Sequence, residues 1–259
     1  MSSSAGSGGT TEADPWTVVP TTLTAGGASL DCSVVPWDTR IFGFPVADIG
    51  RFSLAAATTG ADATALFEAF DTWCTAHDVR LASCRLDHLQ LRESMVLEAN
   101  GFRFIEAVYH PRLSSVASAS AAASGVTIES ATLEDLPGIE SIAADAFSTG
   151  RFLLDHRLPA DLSRRRYADW VRSAFEGSRQ DVLMARIDGE VVGFFVVEQR
   201  PDRSVYWHLT AIAPAFQGRG IGSRVWRSMV DRHAAEGAVA IETTVSGHNL
   251  AVLNLYSRL

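Results

Sequence analysis

The sequence predicts a mixed α/β fold in two domains, and three observations lead to this prediction. Apolar runs with strand-like alternation are interspersed with amphipathic stretches of helical period. A stretch made almost only of Ser and Ala, residues 114–125, separates two well-patterned regions and is typical of a linker. Near the C-terminus a strand, a glycine-rich corner and a helix follow one another directly. We therefore expect a tail over 1–24, a smaller domain over 25–113 and a larger one over 126–259.

The smaller domain is expected to contain two helices and two strands. Residues 61–78 place large apolar side chains on one helical stripe, and 91–99 predict a shorter helix. Residues 79–87 and 102–113 have the alternation of strands.

The sequence of the larger domain predicts antiparallel strands first and a strand–loop–helix–strand unit last. The predicted elements are a strand over 126–129, helices over 134–147 and 161–175, strands over 182–187, 191–197 and 204–214, a helix ending near 236, a strand over 238–245, and a helix from 249. Asp188-Gly189 predicts a tight hairpin between two of these strands. Thr132 to Asp135 resembles a capping box before the first helix.

Composition excludes several classes of function. A formal charge of −8 over 259 residues, without a long Lys/Arg run, argues against an extended nucleic-acid surface. No apolar run approaches the roughly 18 residues of a membrane span, and the first residues do not resemble a signal peptide. Cys32, Cys74 and Cys84 lack CxxC spacing, which predicts three free thiols in a reducing cytoplasm and no metal. The sequence is compatible with a homodimer.

The glycine-rich corner, Gln217 to Gly222, predicts a small anion-binding loop. The first turn of a helix carries N–H groups without intrahelical partners, and the helix dipole adds positive charge there. Glycines allow an anion to approach this backbone closely. The alternative is a glycine-rich turn selected only for tight packing between strand and helix.

Two common phosphate motifs do not fit this corner. A P-loop requires Gly-Lys-Ser/Thr, whereas Ser223-Arg224 follow Gly222. A dinucleotide fingerprint requires a third glycine that is absent. Although Glu242 follows at about the right spacing of ~20 residues, the remaining chain is too short for that fold.

Gln217-x-x-Gly220-x-Gly222 resembles the acyl-CoA loop of the GCN5-related N-acetyltransferase (GNAT) superfamily. The preceding Ala-Ile-Ala-Pro segment is similar to the strand whose edge binds the pantetheine arm in that superfamily. Asn249 and Tyr256, seven apart and therefore on one helix face, resemble its C-terminal helix. The expected fold is an acyl-CoA N-acyltransferase fold preceded by a smaller, partial copy of itself.

A closer resemblance is to dTDP-fucosamine acetyltransferases, which N-acetylate the amino group of a nucleotide-linked sugar. The stretches that carry it are 35–52 and 146–177, and the likeness extends over most of 35–259. It implies acetyl-CoA as co-substrate and an amino-sugar nucleotide as acceptor. The same fold also suits a peptide, polyamine or antibiotic amine, or a non-catalytic acyl-CoA-binding protein.

The resemblance also implies roles for individual residues. Tyr256 takes the place of the general acid, and Glu106 takes that of a base acting through water. Without the resemblance, Tyr256 would be interpreted as a core residue of an amphipathic helix. Glu106 would be interpreted as an ordinary solvent-facing strand residue. His208 is expected to be a sheet residue with satisfied hydrogen bonds, or else to line the acceptor groove. The implied cofactor contacts are Ile212, Gln217, Gly218, Arg219, Gly220, Ile221, Gly222, Val225 and Asn249.

The sequence ends three residues after Tyr256, whereas the family pattern continues with at least one more strand. We therefore expect Tyr256 on a fraying turn. The strand over 238–245 is expected to expose a sheet edge, unless another segment fills the gap.

Overall fold

The computed structural model describes residues 18–116 and 125–259. Most of the expected tail and most of the Ser/Ala linker therefore lie outside the described residues. The chain forms two compact units, which divide between Phe104 and Ile105. Each unit has its own sheet and its own hydrophobic core.

The N-terminal unit is a four-stranded sheet with three helices. Its elements are β1 (Thr21–Ala25), β2 (Ala28–Val34), α1 (Pro36–Phe42), β3 (Val46–Leu54), α2 (Gly60–Ala76), β4 (Leu81–Cys84) and α3 (Leu91–Ala99). The sheet order is β1-β2-β3-β4, antiparallel except for the parallel pair β3–β4, which α2 connects. The expected apolar stripe of α2 is buried in the core at Leu66, Phe67, Phe70 and Trp73.

Helix α2 begins with a complete capping box. Thr59 accepts a hydrogen bond from the backbone N–H of Asp62, and the carboxylate of Asp62 accepts one from the backbone N–H of Thr59. The Asp62 carboxylate thereby places a negative charge at the positive end of the helix dipole. The hydrogen bonds from Thr59 lower the pKa of Asp62 below its usual value.

The C-terminal unit is a six-stranded mixed sheet with helices on both faces and a separate two-stranded pair. Its elements are β5 (Val108–Tyr109), β6 (Arg112–Leu113), β7 (Thr127–Ser130), α4 (Leu136–Ala146), α5 (Arg151–Leu154), α6 (Ala160–Glu176), β8 (Asp181–Ile187), β9 (Glu190–Gln199), β10 (Ser204–Ile212), α7 (Ile221–Ala235), β11 (Ala240–Thr243), β12 (Val245–Ser246) and α8 (Leu250–Tyr256). The sheet order is β6-β11-β10-β9-β8-β7, and β12 pairs with β5. Among the described strands of this sheet, β10 and β11 are the one parallel pair, and α7 connects them.

Two cores sandwich this sheet. On one face, Trp207 of β10 packs with Trp226 and Met229 of α7. On the other face, Phe194 and Leu209 pack against α4 and α6. The predicted α/β architecture is confirmed, and the bounds of the six predicted helices agree with the structure to within a few residues. The short helices α1 and α5 and the strands β1 to β3 were not predicted.

The unit boundary lies nine residues before the predicted linker, because residues 105–113 pair with the C-terminal unit. Strand β5 pairs with β12, and β6 pairs with β11 through Leu113–Ile241 and Arg112–Glu242. The Arg112 guanidinium also forms an ion pair with Glu242. The predicted long strands over 102–113 and 238–245 are each two short strands instead.

The expectation of an exposed edge on the strand over 238–245 is wrong for the paired residues of β11. Strand β6 covers that edge, and the N–H of Thr243 donates to Pro111 O at 3.2 Å. Another segment of the chain therefore fills this place, which was the alternative expectation.

Within residues 18–116 and 125–259, none of the helices combines the length and apolar character that a bilayer crossing requires.

Replacing Gly193 of β9 by Ala is expected to destabilise the C-terminal unit. An added Cβ would lie 2.4 Å from the carbonyl oxygen of Ala211 on the neighbouring strand, so the two strands would have to separate. We expect a loss of about 1–3 kcal/mol in the free energy of unfolding, measured by urea denaturation.

Gly138→Ala is the matched control, because a Cβ at Gly138 in α4 meets no atom within 4 Å. This substitution should raise the stability by about 0.5–1 kcal/mol. Equal effects at the two glycines would contradict the close approach of β9 and β10.

Candidate active site

Strands β10 and β11 pair over only the first half of β10. The parallel pairing runs from Ser204–Ala240 to Trp207–Thr243. Strand β10 then continues to Ile212 beside β9, whereas β11 ends. We call the resulting gap between the second half of β10 and the end of β11 the split.

The second half of β10 directs backbone groups into the split. The N–H of Ala213 donates to Val192 O on β9 at 2.8 Å. Because peptide groups alternate along a strand, those of Thr210 and Ile212 point away from β9, and the register gives their N–H groups no strand partner among the described residues. The Ile212 oxygen accepts a hydrogen bond from Gln217 Nε2 at 2.9 Å. Amide donors therefore face the split.

The glycine-rich loop follows β10 directly and leads into α7. Gly218 and Gly220 have φ of +73° and +72°, a left-handed conformation that glycine adopts without strain. Gly220 is the N-cap of α7, and no side chain within 18–116 or 125–259 caps the helix. The first amides of α7 are therefore available to an anion from outside the chain.

The predicted cofactor-contact residues lie together around this corner. A Cβ on Gly222 would be 3.9 Å from the Ile212 side chain, so the helix start lies against the end of β10. Gln217, Gly218, Arg219 and Gly220 are exposed, Ile221 and Gly222 are half-buried, and Val225 is buried.

Tyr256, the last residue of α8, packs against the core rather than fraying. Its ring lies 6.5 Å from that of Trp207, centroid to centroid. Burial raises the pKa of the Tyr256 phenol, and hydrogen bonding by Trp226, Thr210 and Thr243 opposes that rise. Thr210 and Thr243 belong to the two strands that border the split, so the phenol oxygen lies at the split. The expected fraying turn is thus wrong.

The indole Nε1 of Trp226 is buried and, within the described parts of the chain, has no hydrogen-bond partner of ordinary geometry. The Tyr256 phenol lies beside this indole, which lowers the pKa of the phenol.

Asn249 caps α8 at the opposite end from Tyr256. Its Oδ1 accepts a hydrogen bond from Val252 N at 3.2 Å. This capping role is additional to the ligand contact that the resemblance implies, because the side-chain NH₂ has no partner among the described residues.

Glu106 lies two residues before β5 and is half-buried. Its Oε2 is buried without a hydrogen-bond partner in the described ranges. No described hydrogen bond or ion pair connects Glu106 with Tyr256 or with the loop.

A chain of polar side chains beside the split was missed by the sequence analysis as a group. His208 Nε2 and Glu198 Oε2 are 2.7 Å apart, and the His208 ring contacts that of Tyr206 at 4.7 Å. The Tyr206 hydroxyl is 2.5 Å from Thr244 Oγ1, which is 3.1 Å from His110 Nδ1. We call these five residues the His208 cluster. The sequence signal was the alternation of polar residues at 206, 208 and 210 in an otherwise apolar strand.

The three cysteines are free and all lie in the N-terminal unit. Burial raises the pKa of the Cys32 and Cys74 thiols to about 11 and that of Cys84 to about 12. Such thiols stay protonated near neutral pH and are poor nucleophiles.

A mixed sheet that splits beside an uncapped, glycine-rich helix start is the architecture of the acyl-CoA N-acyltransferase fold. Residues 140–259 match the model of the acetyltransferase (GNAT) family.

Two solved structures share the fold at low sequence identity. A GCN5-related N-acetyltransferase from Sphaerobacter thermophilus aligns with a TM-score of 0.59 at 12% identity, over 85% of this chain and 68% of that one. A tandem GNAT protein from the clavulanic acid biosynthesis pathway aligns with a TM-score of 0.55 at 15% identity. The alignment covers 89% of this chain and 74% of that one. The predicted GNAT fold class is confirmed.

Curated relatives match about half of this chain. The spore coat polysaccharide biosynthesis protein SpsD of Bacillus subtilis is 24% identical over 125 residues, which is 48% of this chain and 43% of that protein. The L-2,4-diaminobutyric acid acetyltransferase of Nocardia farcinica is 32% identical over 115 residues, 44% and 58% of the two chains. The matches thus span about half the length of these relatives.

Gly220→Ala is expected to weaken the binding of coenzyme A at least about tenfold, or about 1.4 kcal/mol. The added methyl group and the strained φ would disturb the anion-binding amides. Calorimetric titration with coenzyme A measures the change.

Gly189→Ala supplies the control, because Gly189 also has a positive φ, +83°, and open space around a Cβ, but lies in the β8–β9 hairpin. It should lose similar stability yet keep the affinity for coenzyme A. Equal weakening by both variants would argue that the loop binds no anion.

Proposed function

We propose that this protein transfers an acetyl group from acetyl-CoA to a primary amine, directly and without an acyl-enzyme. The observation that carries the proposal is the uncapped start of α7 beside the split, with the phenol of Tyr256 at the split. The glycine-rich loop at the start of α7 would hold the diphosphate of acetyl-CoA, and the free edge of β10 would hold its acyl arm.

In this proposal the backbone amides from Gly218 to Gly222 bind the pyrophosphate of acetyl-CoA. The net charge of −8 gives no general attraction for an anion, so binding depends on the local dipole and on Arg219. The pantetheine arm would extend along the split beside Ile212, within reach of the Asn249 amide.

The thioester carbonyl would then lie near the free N–H groups of Thr210 and Ile212. Such donors stabilise the oxyanion that forms as the amine attacks, and one donor contributes about 3 kcal/mol in comparable sites. The raised pKa of Tyr256 keeps its phenol protonated at neutral pH, so it can donate a hydrogen bond and then a proton to the departing sulfur.

The resemblance assigns removal of the amine's proton to Glu106 through a water molecule. A buried carboxylate oxygen without a partner among the described residues fits a water-binding role. Glu106→Gln tests this assignment, because loss of the base should lower kcat by about 10²-fold.

Direct transfer is supported by the three cysteines, whose raised pKa values disfavour a thiolate nucleophile. Trapping of an acetyl-cysteine would contradict the proposal.

The favoured acceptor is a nucleotide-linked amino sugar. The support is the resemblance over residues 35–259 and the name of the SpsD relative, a polysaccharide biosynthesis protein. A second candidate is the amine of a small amino acid, favoured by the similarity to diaminobutyric acid acetyltransferases from Nocardia farcinica and Vibrio parahaemolyticus.

We also propose that the N-terminal unit is a partial copy of the acetyltransferase fold. Apart from α1, which lies between β2 and β3, the N-terminal order is β1-β2-β3-α2-β4-α3. Antiparallel strands lead to a helical crossover, a parallel strand and a further helix, as in β8-β9-β10-α7-β11-α8.

Thiol release from acetyl-CoA, measured with a panel of amines, tests the activity. The panel contains dTDP-4-amino-4,6-dideoxygalactose, L-2,4-diaminobutyrate, spermidine and a peptide with a free N-terminus. Release with the amino sugar alone supports the favoured acceptor, and release with diaminobutyrate alone supports the second. Binding of coenzyme A without release in any case would favour a non-catalytic binding protein.

Tyr256→Phe should lower kcat by about 10²-fold while the dissociation constant of acetyl-CoA stays nearly unchanged, because only the proton donor is lost. Tyr109→Phe, at an exposed residue of β5, is the control and should keep full activity. A large loss of acetyl-CoA affinity in the Tyr256 variant would instead make this residue a binding group.

A further inference from the structure

The His208 cluster lies where the sheet opens. His208 follows directly after Trp207, the last residue of β10 that pairs with β11. It also lies at an irregularity, because the β9–β10 register shifts between Trp207 and Leu209. Bulges of this kind redirect side chains and are enriched beside active sites.

The cluster is connected to the proposed acid. Tyr206, whose ring contacts that of His208, is close enough to Tyr256 to raise the pKa of its phenol. Thr244, the hydrogen-bond partner of Tyr206, directly follows Thr243, another neighbour of that phenol. His208 and Tyr256 are thus separated by one aromatic ring.

The hydrogen bond to Glu198 selects one tautomer of the neutral His208 ring. A carboxylate accepts the Nε2–H and so favours the tautomer whose Nδ1 has a free lone pair. Nδ1 has no hydrogen-bond partner among the described residues, although the side chain is largely buried.

We propose that His208 is the catalytic base, which takes the proton of the acceptor's ammonium group at Nδ1 while Glu198 holds Nε2–H. This inference rests on the proposed acetyl transfer and gives a different base from Glu106.

The proton and bond changes balance. An N–H bond of R–NH₃⁺ breaks and its proton goes to Nδ1, which leaves R–NH₂ and an imidazolium. The nitrogen lone pair forms a bond to the thioester carbon, and the C–S bond then breaks. Tyr256 protonates the sulfur and regains a proton from the nitrogen, and the imidazolium releases its proton to water.

The surroundings of His208 support a neutral resting ring. Burial is the main cause that lowers the pKa of His208. The Glu198 carboxylate raises that pKa, and the positive charge of Arg200 lowers it further. Tyr206 also faces the ring, and Trp170 of α6, over which Arg166 lies, packs 6.0 Å away. Since the pKa lies below the ordinary value of about 6.5, the base is ready near neutral pH, and the rate should fall only when acid protonates the ring.

His208→Gln is the decisive variant, because the glutamine Nε2 can still donate to Glu198 but cannot take a proton. With the acceptor that releases most thiol in the panel, kcat should fall about 10²-fold or more. The acidic limb of the pH–kcat profile should disappear. The dissociation constant of coenzyme A should stay within about twofold, which also reports that the protein is folded.

His233→Gln is the matched control. His233 is likewise buried, is bonded to a glutamate, Glu236, and has a pKa lowered by burial, but it accepts a hydrogen bond from Trp207 inside the core. This variant should be less stable yet keep the acidic limb.

Glu106→Gln separates the two candidate bases. Retention of the acidic limb in that variant, with its loss in His208→Gln, supports the inference. An acidic limb and kcat that survive in His208→Gln overturn it while leaving acetyl transfer intact. A wild-type protein that binds coenzyme A but acetylates nothing overturns the proposed function, and the inference with it.

Discussion

The parallel pairing of β10 and β11 stops after Trp207 and Thr243, and the candidate site depends on this stop. A strand that loses its neighbour halfway leaves peptide groups without partners, and burying them unpaired is costly. Here α8 brings a phenol to the opening, and the N–H groups of β10 remain free for a ligand. A ligand with an extended amide-bearing arm would complete the sheet where the chain does not.

The pairing of β10 with β11 stops because the chain after β11 pairs with another strand. Beyond Thr243 the chain leaves β10 and pairs with β5 instead, while β6 pairs with the outer edge of β11. The ion pairs of Glu242 with Arg112 and Arg200 hold β11 from both sides. The segment before the linker thus forms the β6 edge of the C-terminal sheet.

The sequence predicted six of the helices, the hairpin and the glycine-rich corner, because each rests on local chemistry: helical period, Asp188-Gly189, and glycines at positive φ. The short helices α1 and α5 and the strands β1 to β3 were not predicted. It failed where strands pair over long distances. Nothing local in residues 105–113 indicates that they join a sheet whose other strands follow the linker. The His208 cluster was missed for the same reason, since Glu198, Tyr206 and Thr244 meet only once the register of three strands is known.

Helices α2 and α7, which each connect two parallel strands, differ in how their first turn is capped. Helix α7 begins at Gly220, whereas α2 begins at Thr59, whose side chain accepts from the N–H of Asp62 and whose backbone N–H donates to the Asp62 carboxylate. Since the pKa of Asp62 is lowered, its carboxylate stays ionised at neutral pH and keeps its hydrogen bonds to Thr59. The chain's own side chains therefore satisfy the start of α2, whereas the start of α7 leaves its backbone amides to a ligand from outside.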